Sequence, residues 1–249
     1  VVYAHKHSAK LRFTHGLYRT IKIPKKLTFN IIKKGIPLLV NEFLWSLGMT
    51  TLTQIFSTRG LNVVAALNIS STITNLFNVI FISMGNAVAV MVGQALGAND
   101  MQRAKQTAWK LIFFNFSICI GVGAILIALS PFLPYIYKTT DDVRSLATRF
   151  MQTSAIYMSI NAVSHCAYFT MRSGGKTFIT FLFDSAYTWG VFVPFTYVLA
   201  HYTKMDIYIL YPVCYMADVL KCIIGIIVVK SGYWAQNIVS DNASEECIE

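Results

Sequence analysis

A single carboxylate interrupts the first long apolar run of the chain, and that combination limits both where the chain can fold and what the run can do. Gly35 to Ser57 reads GIPLLVNEFLWSLGMTTLTQIFS, with Glu42 its only acidic residue. At a rise of about 1.5 Å per residue, these 23 residues cover the roughly 30 Å hydrocarbon core of a bilayer with little to spare. Glu42 therefore has no cheap route to water by extending its side chain. The fold must give it a partner, a proton or a water-filled cavity. Carboxylates in this position mark ion or proton sites; the alternative is a protonated Glu that hydrogen-bonds a neighbouring helix as packing.

Composition points the same way. Hydrophobic residues make up 55% and charged residues 13% of the chain, with a mean hydropathy of +0.54, whereas soluble domains carry about a quarter charged residues. Five more apolar stretches follow the first, at Val63 to Val92, Leu111 to Ile136, Leu146 to Met171, Thr177 to Ala200 and Ile207 to Val229. The expectation is an all-α integral membrane protein with six transmembrane helices. No signal peptide is evident, because more than thirty basic and polar residues precede the first long apolar run.

Charge placement orients these spans. Residues 1–34 hold nine Lys or Arg and no acid, and the loops after the second and fourth spans add Arg103, Lys105, Lys110, Arg172 and Lys176. The opposite loops carry Arg59, Lys138, Arg144 and Lys204 among Asp141, Asp142 and Asp206. The asymmetry is about three to one and places both termini on the cytoplasmic side. The net charge of +10 sits at span edges, not on one continuous face, which excludes a nucleic-acid partner. The cysteines Cys119, Cys166, Cys214, Cys222 and Cys247 form no CxxC pair and read as core thiols. With no metal-ligand spacing, glycine-rich phosphate loop or nucleophile elbow, the reading is not an enzyme and needs no cofactor. His165 reads as a satisfied core histidine.

Loop chemistry sets the expected helix ends. Gly97 in GQALGAND suits the left-handed closure of a helix, and Asn99 or Asp100 the cap of the next. Pro131 and Pro134 stop the third span, and Thr139 to Asp142 suits the start of the fourth. Within the spans, polar residues fall on faces. The second span shows Asn68, Ser71, Asn75, Asn78 and Asn86; the fourth shows Ser154, Tyr157, Asn161, Ser164 and Tyr168. On the first, the face of Glu42 continues through Ser46, Met49 and Thr53, with Trp45 and Asn41 beside it. A shared polar cavity accounts for three such stripes, interhelical hydrogen bonding being the alternative. Of the other intramembrane charges, Asp218 and Lys221 are spaced i, i+3 and read as neutralising each other, while Asp184 lies near the cytoplasmic boundary and reads as solvated from that side.

Two segments carry a family resemblance. PLLVNEFLWSLGMTTLTQIFSTRGLNVVAALN from Pro37 to Asn68, and GNAVAVMVGQALGANDMQRAK from Gly85 to Lys105, resemble the first two helices of the C-terminal lobe of multidrug and toxic compound extrusion (MATE) transporters. RSGGKT from Arg172 to Thr177 and YMADVLKCII from Tyr215 to Ile224 are similar to that lobe's later loop and last helix. The resemblance implies a six-helix lobe, half of a two-lobed antiporter of the inner membrane that expels small organic, often cationic, compounds in exchange for Na+ or H+. Residues 1–34 are then a basic cytoplasmic linker between lobes, 35–230 the C-terminal lobe, and 231–249 an acidic cytoplasmic tail. The chain is expected to be a fragment whose partner is the missing N-terminal lobe of the same protein, within the lipid bilayer.

Carried over by resemblance, Glu42 matches the family's carboxylate and Tyr157 the tyrosine of its cation site. Asn161 stands where relatives with a defined Na+ site have Asp, so Na+ and H+ both stay open as the coupling ion. Asn41, Trp45, Asn68, Asn75 and Ser154 are the candidate residues of the substrate cavity. The alternatives are a lipid-linked saccharide flippase of the same superfamily, expected to line its cavity with several Arg or Lys, and a non-transporting membrane subunit.

Overall fold

The computed structural model describes residues 25–235. Five of the six apolar stretches lie wholly in a long helix and the third, Leu111 to Ile136, lies mostly in one: α1 (Lys25–Ser57), α2 (Leu61–Gly97), α3 (Met101–Leu129), α4 (Asp141–Ser173), α5 (Thr177–Tyr202) and α6 (Ile207–Ser231). Four of them, α2, α3, α5 and α6, are long and apolar enough to cross a membrane. α1 carries Lys33, Lys34 and Glu42, and α4 carries charges at both ends with a polar interior, which makes these two less apolar. The chain divides into two compact units, Val1–Val40 and Asn41–Glu249. Of the first, residues 25–40 are described and form the start of α1, including Pro37. The second holds the rest of α1 and all of α2 to α6.

α4 is the central element and packs against α2, α3 and α6. Its buried residues join two apolar clusters that succeed each other along the helix. One includes Phe150, Met151, Met158 and Ala162 with Leu210 and Cys214 of α6. The other includes Val163, Cys166, Ala167 and Met171 with Val88 and Val92 of α2 and Trp234. A helix with a polar face is the natural centre of such a bundle, because neighbouring helices can satisfy its side chains where lipid cannot.

The helix ends differ from expectation in three places. α3 stops at Leu129, not Ile136. Ser130 keeps helical geometry and still bonds the Leu126 carbonyl, but Pro131 has no N–H to continue the ladder, so the chain turns and makes a short 3-10 segment at Leu133–Ile136. After α2 the left-handed residue is Asn99 (φ 60°), while Gly97 stays helical; Asp100 caps α3 by accepting from the Arg103 N–H at 2.9 Å. Thr140 precedes α4 without a side-chain cap bond, and Asp141 and Asp142 occupy the first turn, where the helix dipole favours anions. Arg59 in the α1–α2 turn donates to the carbonyls of Ala200 and Thr203 at 2.7 and 2.9 Å, tying that turn to the end of α5.

Of the segment expected as a tail, Ser231 ends α6 and Trp234 is fully buried, its Nε1 donating to the Val229 carbonyl at 3.0 Å. Residues 236–249 of that segment, with its acids and Cys247, and residues 1–24 of the expected linker lie outside the described residues.

Gly123 of α3 sets how closely α3 approaches α4. A Cβ there would stand 2.7 Å from the Ala155 carbonyl oxygen, a backbone atom that cannot turn away. Gly121, two residues earlier, has nothing within 4 Å of such a Cβ. Gly123→Val is therefore expected to destabilise the bundle by about 1–3 kcal/mol and lower its thermal midpoint in detergent, with Gly121→Val near the parent; equal midpoints for the two variants would contradict this crossing.

Candidate functional site

Four helices bring polar side chains to one place. Asn41 and Glu42 come from α1, Tyr168 and Arg172 from successive turns of α4, Asp184 and Ser185 from α5, and Lys221 from α6. The Asn41 amide nitrogen donates to Asp184 Oδ2 at 3.2 Å and to the Tyr168 hydroxyl oxygen at 3.3 Å. The Ser185 hydroxyl lies 2.7 Å from Asn41 Oδ1 and 2.9 Å from its carbonyl oxygen. Tyr168 in turn donates to Glu42 Oε1 at 2.9 Å, and Arg172 stands 3.4 Å from the same oxygen. At the other end Lys221 Nζ meets Asp184 Oδ1 at 2.8 Å and lies over the Phe183 ring.

The two ends differ in environment. The side chains of Asp184 and Lys221 are 13% and 15% exposed, and Asn41 as a whole 1%, whereas the Glu42 and Arg172 side chains are 54% and 35% exposed. The buried end is a close ion pair with its remaining capacity filled by an amide. The open end is a carboxylate with one hydroxyl donor and a loosely placed guanidinium. A chain of hydrogen bonds from Asp184 through Asn41 and Tyr168 to Glu42 joins the two ends.

α5 is shaped for this contact. It is α-helical at each end and π-helical over Leu182–Ala186 and Thr188–Phe192, the first of which holds both Asp184 and Ser185. π-Helical turns recur at functional sites. Trp189 Nε1 also donates to the Leu44 carbonyl at 2.9 Å, one turn along α1 from Asn41.

The remaining sequence candidates fall elsewhere. Tyr157 is half-buried, its ring 5.7 Å from that of Tyr215, whose hydroxyl is 3.0 Å from that of Tyr211. Ser154 interacts with both of those hydroxyls, and Asn161 with the buried Asp218 carboxylate. These residues form a second polar cluster on α4. Tyr157 precedes Tyr168 by eleven residues, or about 16 Å along the helix; among the described residues no hydrogen bond or ion pair joins Glu42 to Tyr157 or Asn161. Trp45, Asn68 and Asn75 are exposed, Asn75 accepting from Asn78 at 3.4 Å.

Two expectations are corrected. Lys221 forms its ion pair with Asp184, not with Asp218 on its own helix, because its long stem reaches across to α5. Asp184 is correspondingly enclosed and ion-paired, not solvated from the cytoplasmic side. His165 is packed among Phe81, Tyr168 and Phe169, with its Nε2 buried and without a hydrogen-bond partner. Cys119, Cys166 and Cys214 are buried free thiols. Sequence reasoning gave Tyr168 only as one member of a stripe. The signal that would have singled it out is its place seven residues, two helical turns, beyond Asn161.

Comparison with known proteins bears on the whole arrangement. The MatE family model matches residues 37–198. The chain belongs to the MatE family. It is 27% identical over 224 residues to the probable multidrug resistance protein YoeA of Bacillus subtilis, covering 88% of this chain and 48% of that protein. Over 190 residues it is 25% identical to the multidrug resistance protein NorM of Aliivibrio fischeri, covering 76% and 41%. Among solved structures, a MOP superfamily transporter from Pyrococcus furiosus superposes with a TM-score of 0.76 at 18% identity, covering 86% of this chain and 48% of that one. A MATE family transporter in its outward-facing conformation gives 0.75 at 18% identity, covering 86% and 48%. These likenesses establish the MatE transporter fold. The chain spans about half the length of the curated relatives it matches.

Within this MatE bundle, Asn41 and Asn68 separate cleanly. Asn41→Leu removes hydrogen bonds to three other side chains and is expected to cost about 2 kcal/mol, at roughly 0.6 kcal/mol per interhelical bond in a membrane. Asn68→Leu, at an exposed position, is expected within about 0.5 kcal/mol of the parent. Equilibrium unfolding in mixed micelles checks the difference, and equal costs would contradict the geometry.

Proposed function

We propose that this chain is the six-helix C-terminal lobe of a secondary active antiporter that exports small organic, often cationic, compounds by alternating access. All six long helices then span the inner membrane, both ends face the cytoplasm, and a second lobe completes the substrate path. Residues 1–34 serve as the linker between lobes. The protein performs no covalent chemistry and needs no cofactor beyond its coupling ion.

The observation that carries this reading is Glu42: an intramembrane carboxylate, half open, receiving one hydrogen bond from Tyr168 with Arg172 beside it. Protonation discharges the carboxylate and frees Arg172; deprotonation restores both contacts. A charge that appears and disappears between helices gives the two-state bias an exchanger needs. Arg172 at 3.4 Å favours a proton over Na+ here, because a proton requires one lone pair and a hard cation several oxygen ligands. Na+ coupling has its own support in the second cluster, where Tyr157 and Asn161 gather near Asp218. In that case Asp218, not Glu42, supplies the carboxylate.

The test uses the full-length transporter in vesicles under separate pH and Na+ gradients. Glu42→Gln is expected to reduce pH-driven efflux to the level of empty vesicles while insertion stays normal, and Asp218→Asn to leave it in place. Retained pH-driven efflux in Glu42→Gln sinks the assignment. Loss of Na+-driven efflux in Asp218→Asn alone moves the coupling site to the second cluster.

A further inference from the structure

We infer that Asp184 is a positioning residue for Glu42: ion-paired with Lys221, it fixes the Asn41 carboxamide, and Asn41 fixes the Tyr168 hydroxyl on Glu42. The inference rests on the reading of Glu42 as the coupling carboxylate and adds the machinery that aims its donor.

The proton order along the chain of groups leaves little freedom. An ionised carboxylate only accepts, so the group that Asn41 turns to Asp184 must be its NH2. The carboxamide oxygen then faces Ser185, whose hydroxyl supplies a proton at 2.7 Å. The second N–H of Asn41 goes to the Tyr168 oxygen. With that lone pair occupied, the Tyr168 proton is directed to Glu42 Oε1. Each link is set by the one before it, and the first link is the acceptor oxygen of Asp184.

Without an acceptor at position 184, the amide can turn over and offer its oxygen to Tyr168. Tyr168 then has a second acceptor besides Glu42, and the hydroxyl ceases to be committed. Lys221 has its place in the same logic. A carboxylate enclosed by helices takes up a proton unless a cation stands beside it, and a proton on Oδ2 would take that acceptor away from Asn41. The ammonium at 2.8 Å keeps it an acceptor. The other charged or titratable groups around the chain are Arg172 and His165 on α4 and Asp218 on α6: Arg172 contacts Glu42, His165 stacks near Tyr168, and the Asp218 carboxylate acts on Lys221 from its own helix.

The competing account makes the ion pair simple glue between α5 and α6. The accounts diverge when both charges are removed, because apolar replacement of a buried ion pair is commonly neutral or stabilising. Two neutral double variants of the full-length transporter separate them. Asp184→Asn/Lys221→Met keeps an oxygen acceptor for Asn41; Asp184→Leu/Lys221→Met keeps the volume but no acceptor. Coupled efflux and ion-independent substrate exchange are both read in vesicles, after size-exclusion chromatography confirms folding.

The Asn/Met variant is expected to retain coupled efflux. The Leu/Met variant is expected to lose it by about tenfold or more, matching a lost hydrogen bond to a charged group, while its exchange activity persists. Equal coupling in the two variants, or equal loss in both, overturns the inference. Should Leu/Met not fold, Tyr168→Phe breaks the chain one link later with almost no change in volume. It is expected to lose coupling with exchange retained, and normal coupling in Tyr168→Phe overturns the inference equally. Glu42→Gln runs in parallel. If it stays coupled, the reading of Glu42 falls, whatever the doubles do; if it is uncoupled and the doubles behave alike, only the role of Asp184 falls.

Discussion

The side chain of Asn41 has to satisfy one acceptor and two donors in a place where it is 1% exposed, and the packing of three helices follows from that demand. Water is not at hand, so the partners must be protein groups with matching polarity. Ser185, Asp184 and Tyr168 meet the requirement from α5 and α4. For them to reach, α5 must lie close against α1. It does so where Gly48 removes a side chain: a Cβ there would stand 2.6 Å from Thr188 Cγ2. Trp189 on the following residue then donates to the Leu44 carbonyl. Small residue, close helices and polar glue form one arrangement, as expected where apolar burial cannot drive helix association in lipid.

α4 distributes its polar residues into two clusters with different character. Toward its C-terminal end, Tyr168 and Arg172 serve Glu42 with charge available on both partners. Toward its N-terminal half, Ser154, Tyr157 and Asn161 belong to a group of hydroxyls and one carboxylate, Asp218, with Tyr211 and Tyr215. One helix thereby contributes to two separate polar clusters, and the distance between them lets each be altered without direct contact with the other.

The six helices were legible because long apolar runs need nothing but their own length and composition to be read. Their ends were less so: the stop at Leu129 depended on the N–H that Pro131 lacks, and the left-handed residue moved from Gly97 to Asn99. Periodicity correctly put Glu42 and Asn41 in the first helix and Tyr157, Asn161 and Tyr168 along the fourth. It did not say which turn of one helix meets which turn of another. Lys221 shows why. Spacing on α6 made Asp218 the local partner, but a lysine stem spans the gap between helices, and the choice of Asp184 depended on how α5 and α6 lie together. The Asn68 and Asn75 stripe met the opposite difficulty, since a periodic face is visible in sequence while what it faces is not.

That stripe also carries an argument of its own. Hydroxyls on a helix can return to the preceding turn, and those of α2 do: Ser71 and Thr72 bond the Asn68 carbonyl, and Ser83 that of Val79. A carboxamide has four hydrogen-bonding positions and cannot satisfy them within its own helix. Asn75 and Asn78 meet each other by a single bond, and the exposed Asn68 and Asn86 side chains have no hydrogen bond among the described residues. Acyl chains offer such groups nothing, so an apolar helix with exposed amides at Asn68, Asn75 and Asn86 needs water or protein on that side. In the proposed two-lobed transporter, the surface that meets the need is the one lining the substrate path. On that proposal the exposed amides of α2 belong to the polar lining of the path, whereas Asn41, buried among α1, α4 and α5, belongs to the packing of the bundle.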